Sequence, residues 1–216
     1  MKVVSLFSGG KDSVYATHLC LAWGWEAEWL TLHPLPDSMM FHHPNTSWCK
    51  MQAEAAGIAW NEVRVKSHET ELEELEAAIR RLRVDGIVSG AVASEFQKQR
   101  IEVIGEHLGI PTYAPLWHKG PEVLREMLEN MEAYFVSVSA EGLDEKWLGK
   151  RFGPADVDTL LAMKPPVHPF LEGGEGETFV CDAPFFKKRI DVQEWEKSWD
   201  GVCGRAEIMK ARLVGK

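Results

Sequence analysis

The stretch Ser8-Gly9-Gly10-Lys11-Asp12-Ser13 constrains this chain more than any other. Lys2 to Phe7, before it, is apolar and rich in β-formers. Val14 to Trp23, after it, spaces its apolar residues as a helix does and stops at Gly24. The order is therefore strand, glycine-rich turn, helix. Two adjacent glycines let the backbone adopt φ > 0 and lie close to a ligand. The freed N–H groups and the helix N-terminus then point at one spot, which suits an anion such as phosphate. Lys11 adds a positive charge, Ser8 and Ser13 add hydroxyls, and Asp12 is the kind of oxygen ligand that Mg²⁺ takes. A lone Gly-Gly would be satisfied by a capped turn with no ligand. The complete hexapeptide at the end of a first strand favours the anion site. It is not the Walker motif, because G-x-x-x-x-G-K-[ST] is absent.

The chain after it alternates. Ala27–Leu32, Ile58–Val65, Gly86–Gly90 and Ile110–Leu116 read as strands, and 46–56, 69–83 and 94–108 read as helices. Such alternation implies parallel βαβ units in a doubly wound, mainly parallel five-stranded α/β sheet. Ligands of such sheets bind beyond the carboxyl ends of the strands. The glycine turn, the loop after His33 and the Gly90–Ser94 loop all fall at that edge. Beyond Pro121 the pattern changes to helix 122–131, strand 133–138, a short helix 155–163, and strands 178–182 and 188–192. We expect residues 1–118 to form this α/β domain and 119–216 a smaller α+β domain packed on it.

Composition narrows the function. Residues 1–117 carry 10 Lys and Arg against 15 Asp and Glu, and residues 118–216 carry 14 against 18, so the net charge is −9. Neither half has the basic footprint that phosphate contacts give a nucleic-acid binder. No apolar run approaches the roughly 18 residues of a membrane span. The opening residues read as a strand rather than a secretory leader. Cys20, Cys49, Cys181 and Cys203 form no C-x-x-C, so free thiols in a cytoplasmic protein are expected.

Two further stretches carry chemistry. In Ser89-Gly90-Ala91-Val92-Ala93-Ser94-Glu95-Phe96-Gln97-Lys98-Gln99-Arg100, small residues at a strand end admit a ligand. Ser94, Gln97 and Arg100 then lie in the first turns of the next helix, where they either cap it or meet phosphate. Glu172-Gly173-Gly174-Glu175-Gly176-Glu177-Thr178 does not build a core. It is either a solvated acidic turn or a close-approach loop whose carboxylates face a cation.

The hexapeptide resembles the SGGxDS signature of the PP-loop ATP pyrophosphatases. With Met40-Phe41-His42, Gln52 to Ile58, Ser89 to Arg100, Ala114-Pro115-Leu116-Trp117, Gly142 to Gly149, Glu172 to Thr178 and Asp182 to Ile190, the chain resembles the diphthine–ammonia ligase family. It departs at Gly176, where the family usually has an aromatic. The resemblance implies an enzyme that uses ATP and Mg²⁺ to activate the carboxylate of diphthine on elongation factor 2. Ammonium then displaces AMP from the acyl-adenylate to give diphthamide. It implies nucleotide contacts from Ser8, Gly9, Gly10, Lys11, Asp12, Ser13, His33, Gly90, Ser94, Gln97 and Arg100, with Lys11 and Asp12 catalytic and Mg²⁺ on Asp12. It implies acceptor contacts from His42, Trp117, Gly173, Gly174, Glu175 and Glu177. Nucleic acid and membrane are not expected as partners, and a homodimer is left open. Two alternatives stand beside it: a PP-loop enzyme adenylating another acceptor, an RNA base or a small carboxylate, and a non-catalytic nucleotide-binding protein.

Overall fold

The computed structural model describes residues 1–33 and 45–216. Five parallel strands form the first sheet: β1 (Lys2–Leu6), β2 (Glu26–His33), β3 (Trp60–Arg64), β4 (Gly86–Val88) and β5 (Thr112–Tyr113), in the order β3-β2-β1-β4-β5. The crossovers are α1 (Lys11–Ala22), α2 (Cys49–Ala56), α3 (Glu71–Leu82) and α4 (Glu95–Leu108). Central β1 is apolar on both faces because both are covered. Val4, with Leu30, Val63 and Ile87, packs under α3 and α4. Val3 and Val88 meet Ala16 and Cys20 of α1 on the other face. The winding reverses between β1 and β4. The carboxyl ends of these two strands therefore open a crevice at the switch point.

The second part contains α5 (Pro121–Asn130), β6 (Glu132–Val138), β7 (Arg151–Phe152), α6 (Pro154–Ala162), β8 (Gly176–Asp182), β9 (Lys188–Trp199) and β10 (Gly204–Gly215). All its strand pairs are antiparallel. β8 runs along one edge of β6, and β7 and β10 share the other. Arg189 grips Glu132 with two bonds of 2.6 Å, the bidentate geometry that makes such pairs strong. The sequence pattern predicts a strand over 188–192 and none beyond. The structure continues β9 to Trp199 and returns it as β10. The turn works because Gly201 takes φ 103° and the Asp200 carboxylate accepts from Val202 N and Cys203 N at 2.8 and 2.7 Å. No helix among the described residues is long and apolar enough to cross a membrane.

One apolar cluster runs through both parts, from Phe7, Trp29 and Ala53 to Phe135, Phe179 and Ile208. Phe7 stacks on Trp29 with centroids 3.7 Å apart, and Trp29 Nε1 donates to Thr17 Oγ1 at 2.9 Å, so the buried indole leaves no polar atom unpaired. Polar stitches cross the same seam. Asn45 Nδ2 donates to the Ala206 carbonyl at 2.9 Å, and its Oδ1 accepts from Ile208 N at 2.8 Å, beside a register shift in β10. Gln52, on α2 and fully buried, donates to both the Gly9 carbonyl (2.9 Å) and the Val180 carbonyl (2.8 Å). Val180 N in turn donates to the Gly9 carbonyl at 3.0 Å.

Gln52→Leu keeps the volume and removes both donors. We expect it to lower stability by about 1–3 kcal/mol, because the Val180 carbonyl stays buried without this donor. Urea unfolding of the two proteins measures this directly, and a midpoint equal to that of the parent would show that the clamp contributes nothing.

Candidate functional site

The turn after β1 is held from within. Gly9 takes φ 83°, and a side chain there would stand 2.5 Å from Gln52 Oε1. Ser13 Oγ donates to the Gly10 carbonyl at 3.0 Å and accepts from Ser8 N at 3.3 Å, which closes the turn into a ring. α1 begins at Lys11, with Gly10 as a cap that has no side chain. Its first N–H is satisfied from far away in sequence, by Thr178 Oγ1 at 3.1 Å. Gly90, after β4, abuts the same helix start. A Cβ on it would lie 2.8 Å from the Asp12 carbonyl carbon and 2.8 Å from Ser13 N.

Lys11 points inward and is only 2% exposed. Its ammonium donates to the Phe170 carbonyl at 2.7 Å and to Asp12 Oδ2 at 2.9 Å. The acidic loop thus closes over the glycine turn. Leu171 (φ 61°), Gly173 (φ 70°) and Gly174 (φ 81°) all occupy the left-handed region, which only glycine enters freely. Ser139 Oγ donates to the Gly174 carbonyl, and Ser139 N and Ala140 N both donate to the Glu175 carbonyl. The Glu172 carboxyl belongs to this loop and is partly buried. Burial, reinforced by the charge of Asp12, pushes it up to about 7.

One cavity results, walled on one side by the glycine turn and on the other by residues 170–178. Its apolar end is made by Leu30, Leu32, Leu75 and Ile101, and its charged end by Lys11, Asp12, Glu172 and Glu177. A flat apolar base joined to a polyphosphate fits that division. No three His, Cys, Asp or Glu side chains among the described residues gather into a group able to hold a metal unaided.

The structure brings Ser8, Gly10, Lys11, Asp12, Ser13, Gly90, Gln97, Gly173, Gly174 and Glu177 to this cavity. Gly9 shapes the turn without lining it. Five other expected residues are not among its walls. His33 ends β2, with Nε2 3.0 Å from Glu62 Oε2 and Nδ1 3.3 Å from Thr46 Oγ1, and burial lowers its proton affinity. Ser94 caps α4 by accepting from Gln97 N at 3.3 Å. Arg100 lies flat on the Phe96 ring, 3.4 Å from its centroid. Trp117 meets Lys98, whose ammonium is 5.2 Å from the indole centroid, and His118. Glu175 turns its carboxylate to His168 N at 2.7 Å, where it staples the loop. His42 lies outside the described residues, as do Met40 and Phe41.

Residue type alone does not single out Glu172, Thr178, Phe170 or Gln52. Glu172 and Thr178 flank the glutamates chosen in the acidic loop, and the same motif could have found them. Phe170 acts through its carbonyl, for which no side-chain signal exists. Gln52 is an amide on a helix, and only the fold shows what it reaches.

The family model for the diphthamide synthase N-terminal domain matches residues 1–112, and that for its C-terminal domain matches residues 119–214. A Rattus norvegicus protein named diphthine–ammonia ligase is 34% identical over 244 residues, spanning 100% of this chain and 91% of the relative. A Homo sapiens protein of the same name is 33% identical over 225 residues, spanning 91% and 84%. In Schizosaccharomyces pombe the same name belongs to a longer protein, 32% identical over 94% of this chain and 38% of its own length. Both halves of the cavity, the glycine turn and the acidic loop, fall inside the matched segments, and the chain belongs to the diphthamide synthase family.

Proposed function

We propose that this protein is an ATP-dependent, AMP-forming ligase that amidates the carboxylate of diphthine on elongation factor 2 with ammonium. The observation that carries this reading is the meeting of two loops in one cavity: a phosphate-type turn and an acidic, glycine-rich loop 160 residues further on. We place nucleotide binding in residues 1–118 and acceptor binding chiefly in 119–216. The division is supported by the two sheets and by the two matched segments.

A carboxylate is a poor electrophile until one of its oxygens becomes a leaving group. Attack of that oxygen on the α-phosphate of ATP gives the acyl-adenylate and releases pyrophosphate. Gly9, Gly10 and the start of α1 offer backbone N–H groups to the departing phosphates, and Lys11 offers a cation. Mg²⁺, when bound, would neutralise phosphate charge. Asp12, at the charged end of the cavity, is the carboxylate that would help hold it. Lys11 has a second use. By holding the Phe170 carbonyl it keeps the acidic loop against the phosphates, so nucleotide and acceptor stay in reacting distance. Diphthine also carries a trimethylammonium group, which has no N–H to donate and needs a carboxylate or an aromatic face. Glu177 is the carboxylate we assign to it, since Glu175 is committed to the loop itself.

Purified protein given ATP, ammonium and diphthine-bearing elongation factor 2 should form AMP and amidated factor in equal amounts, by nucleotide chromatography and mass spectrometry. Lys11→Ala should lower that rate about 10²–10³-fold. Turnover near that of the parent would refute the site.

Glu177→Gln should raise the KM for the protein acceptor several-fold while the KM for ATP stays put. A change confined to ATP would move Glu177 to the nucleotide half.

Ammonium, not glutamine, should be the nitrogen source. Cys20, Cys49 and Cys181 are buried. Burial pushes Cys20 to about 11 and Cys49 to about 12, and it raises Cys181 as well. None of the three is the thiolate that glutamine hydrolysis requires. Amidation with glutamine as fast as with ammonium, in ammonia-free buffer and without another protein, would contradict this.

A further inference from the structure

Ammonium has no lone pair, so it must lose a proton before its nitrogen can attack an acyl-adenylate. We infer that Glu172 is the proton acceptor, the side chain that binds the incoming ammonium and converts it to ammonia inside the cavity. This role rests on the ligase reading and adds to it the residue that activates the nitrogen.

The geometry singles out Glu172 among the cavity's acids. Asp12 Oδ2 is held by the Lys11 ammonium at 2.9 Å, and Glu175 is held by His168 N at 2.7 Å and does not line the cavity. Glu177 follows the glycines on regular strand β8. Glu172 sits between a strained residue and two glycines. Leu171 is buried at φ 61°, a conformation that a leucine adopts only when its surroundings impose it. A 2.7 Å bond from Leu171 N to the His168 carbonyl holds this turn. Together with the Lys11 bond to the Phe170 carbonyl, it fixes the backbone on the approach to Glu172. That backbone carries Glu172 into the cavity wall.

The charges facing Glu172 come from three elements. From α1, Asp12 raises its proton affinity and Lys11 lowers it; from β8, Glu177 raises it; from the loop after β4, the Val92 N–H lowers it. Burial is the largest influence, and the result is a carboxyl at about 7. Such a group releases and takes a proton near neutral pH, which a general base in a ligase cavity must do.

The step balances. Ionised Glu172 takes one proton from ammonium, giving ammonia and the neutral carboxylic acid. The ammonia lone pair forms the C–N bond at the acyl carbon. The C–O bond to the adenylate breaks, and AMP leaves with the electron pair. The surplus proton on the new amide nitrogen passes to water, and Glu172 returns its own proton to solvent before the next turnover.

The test compares nucleophiles in Glu172→Gln, with diphthine-bearing elongation factor 2 as acceptor. Ammonium needs a base, whereas hydroxylamine is largely neutral at pH 7 and does not. With ammonium at pH 7 the variant should lose about 100-fold in AMP release, after an initial burst of pyrophosphate. With hydroxylamine it should keep most of the parent rate. The pH profiles should differ as well. The parent's ammonium-dependent rate rises as Glu172 ionises through about 7 and then levels. The variant's rate keeps climbing into the alkaline range, following free ammonia. Equal losses with both nucleophiles, or no loss with either, would overturn the assignment while leaving the ligase reading intact. A parent protein that forms no AMP with this acceptor would overturn the ligase reading, and the role of Glu172 with it.

Discussion

A lysine ammonium buried to 2% exposure can persist only if its charge is met on the spot. Lys11 meets it with one carboxylate from its own helix and one carbonyl from residue 170. Removing the Asp12 carboxylate would leave an uncompensated charge, which costs far more than the pair gains, and removing the carbonyl would leave an ammonium proton buried without that acceptor. The first turn of α1 therefore cannot take up this arrangement until the distant loop has arrived. The other links across the seam share that logic. Thr178 supplies the hydroxyl that the first N–H of α1 uses, and Val180 and Gln52 both bond the Gly9 carbonyl. A glycine-rich turn that would be loose by itself is braced by the far end of the chain. Bracing of this kind is what electrostatic catalysis needs, because donors already in place do not reorganise as charge develops.

The fold of the first 113 residues was legible because each element obeys a local rule. β1 is a short apolar run, α4 has Ser94 before it and Gly109 after it, and small residues follow β1 and β4. The last strand pair was harder. β9 places Glu194, Glu196 and Lys197 outward, and its charged stretch hides the alternation. Yet Arg205-Ala206-Glu207-Ile208 does alternate, with Ala206 and Ile208 buried, so that half of the hairpin was readable by period.

The site was legible in kind and only partly in detail. Chemistry placed in a turn survives translation into space, since the residues of Ser8–Ser13 are neighbours in any fold. Chemistry placed on a helix depends on which way the face turns. Gln97 turns to the cavity while Arg100, three residues on, lies on Phe96. The acidic loop misled for a related reason. Glu175 and Glu177 are equivalent in sequence, but one closes the loop on His168 and the other lines the cavity.

The contact between Gly90 and the start of α1 has a mechanical consequence. A Cβ at 90 would stand 2.8 Å from backbone atoms of Asp12 and Ser13, so the loop after β4 and the start of α1 lie backbone against backbone on the floor of the crevice. The opposite wall, the 170–178 segment, grips this floor through Lys11 and the first N–H of α1. The glycine turn and the 170–178 segment therefore share the same two fasteners, and a substitution that loosens either one slackens both walls at once.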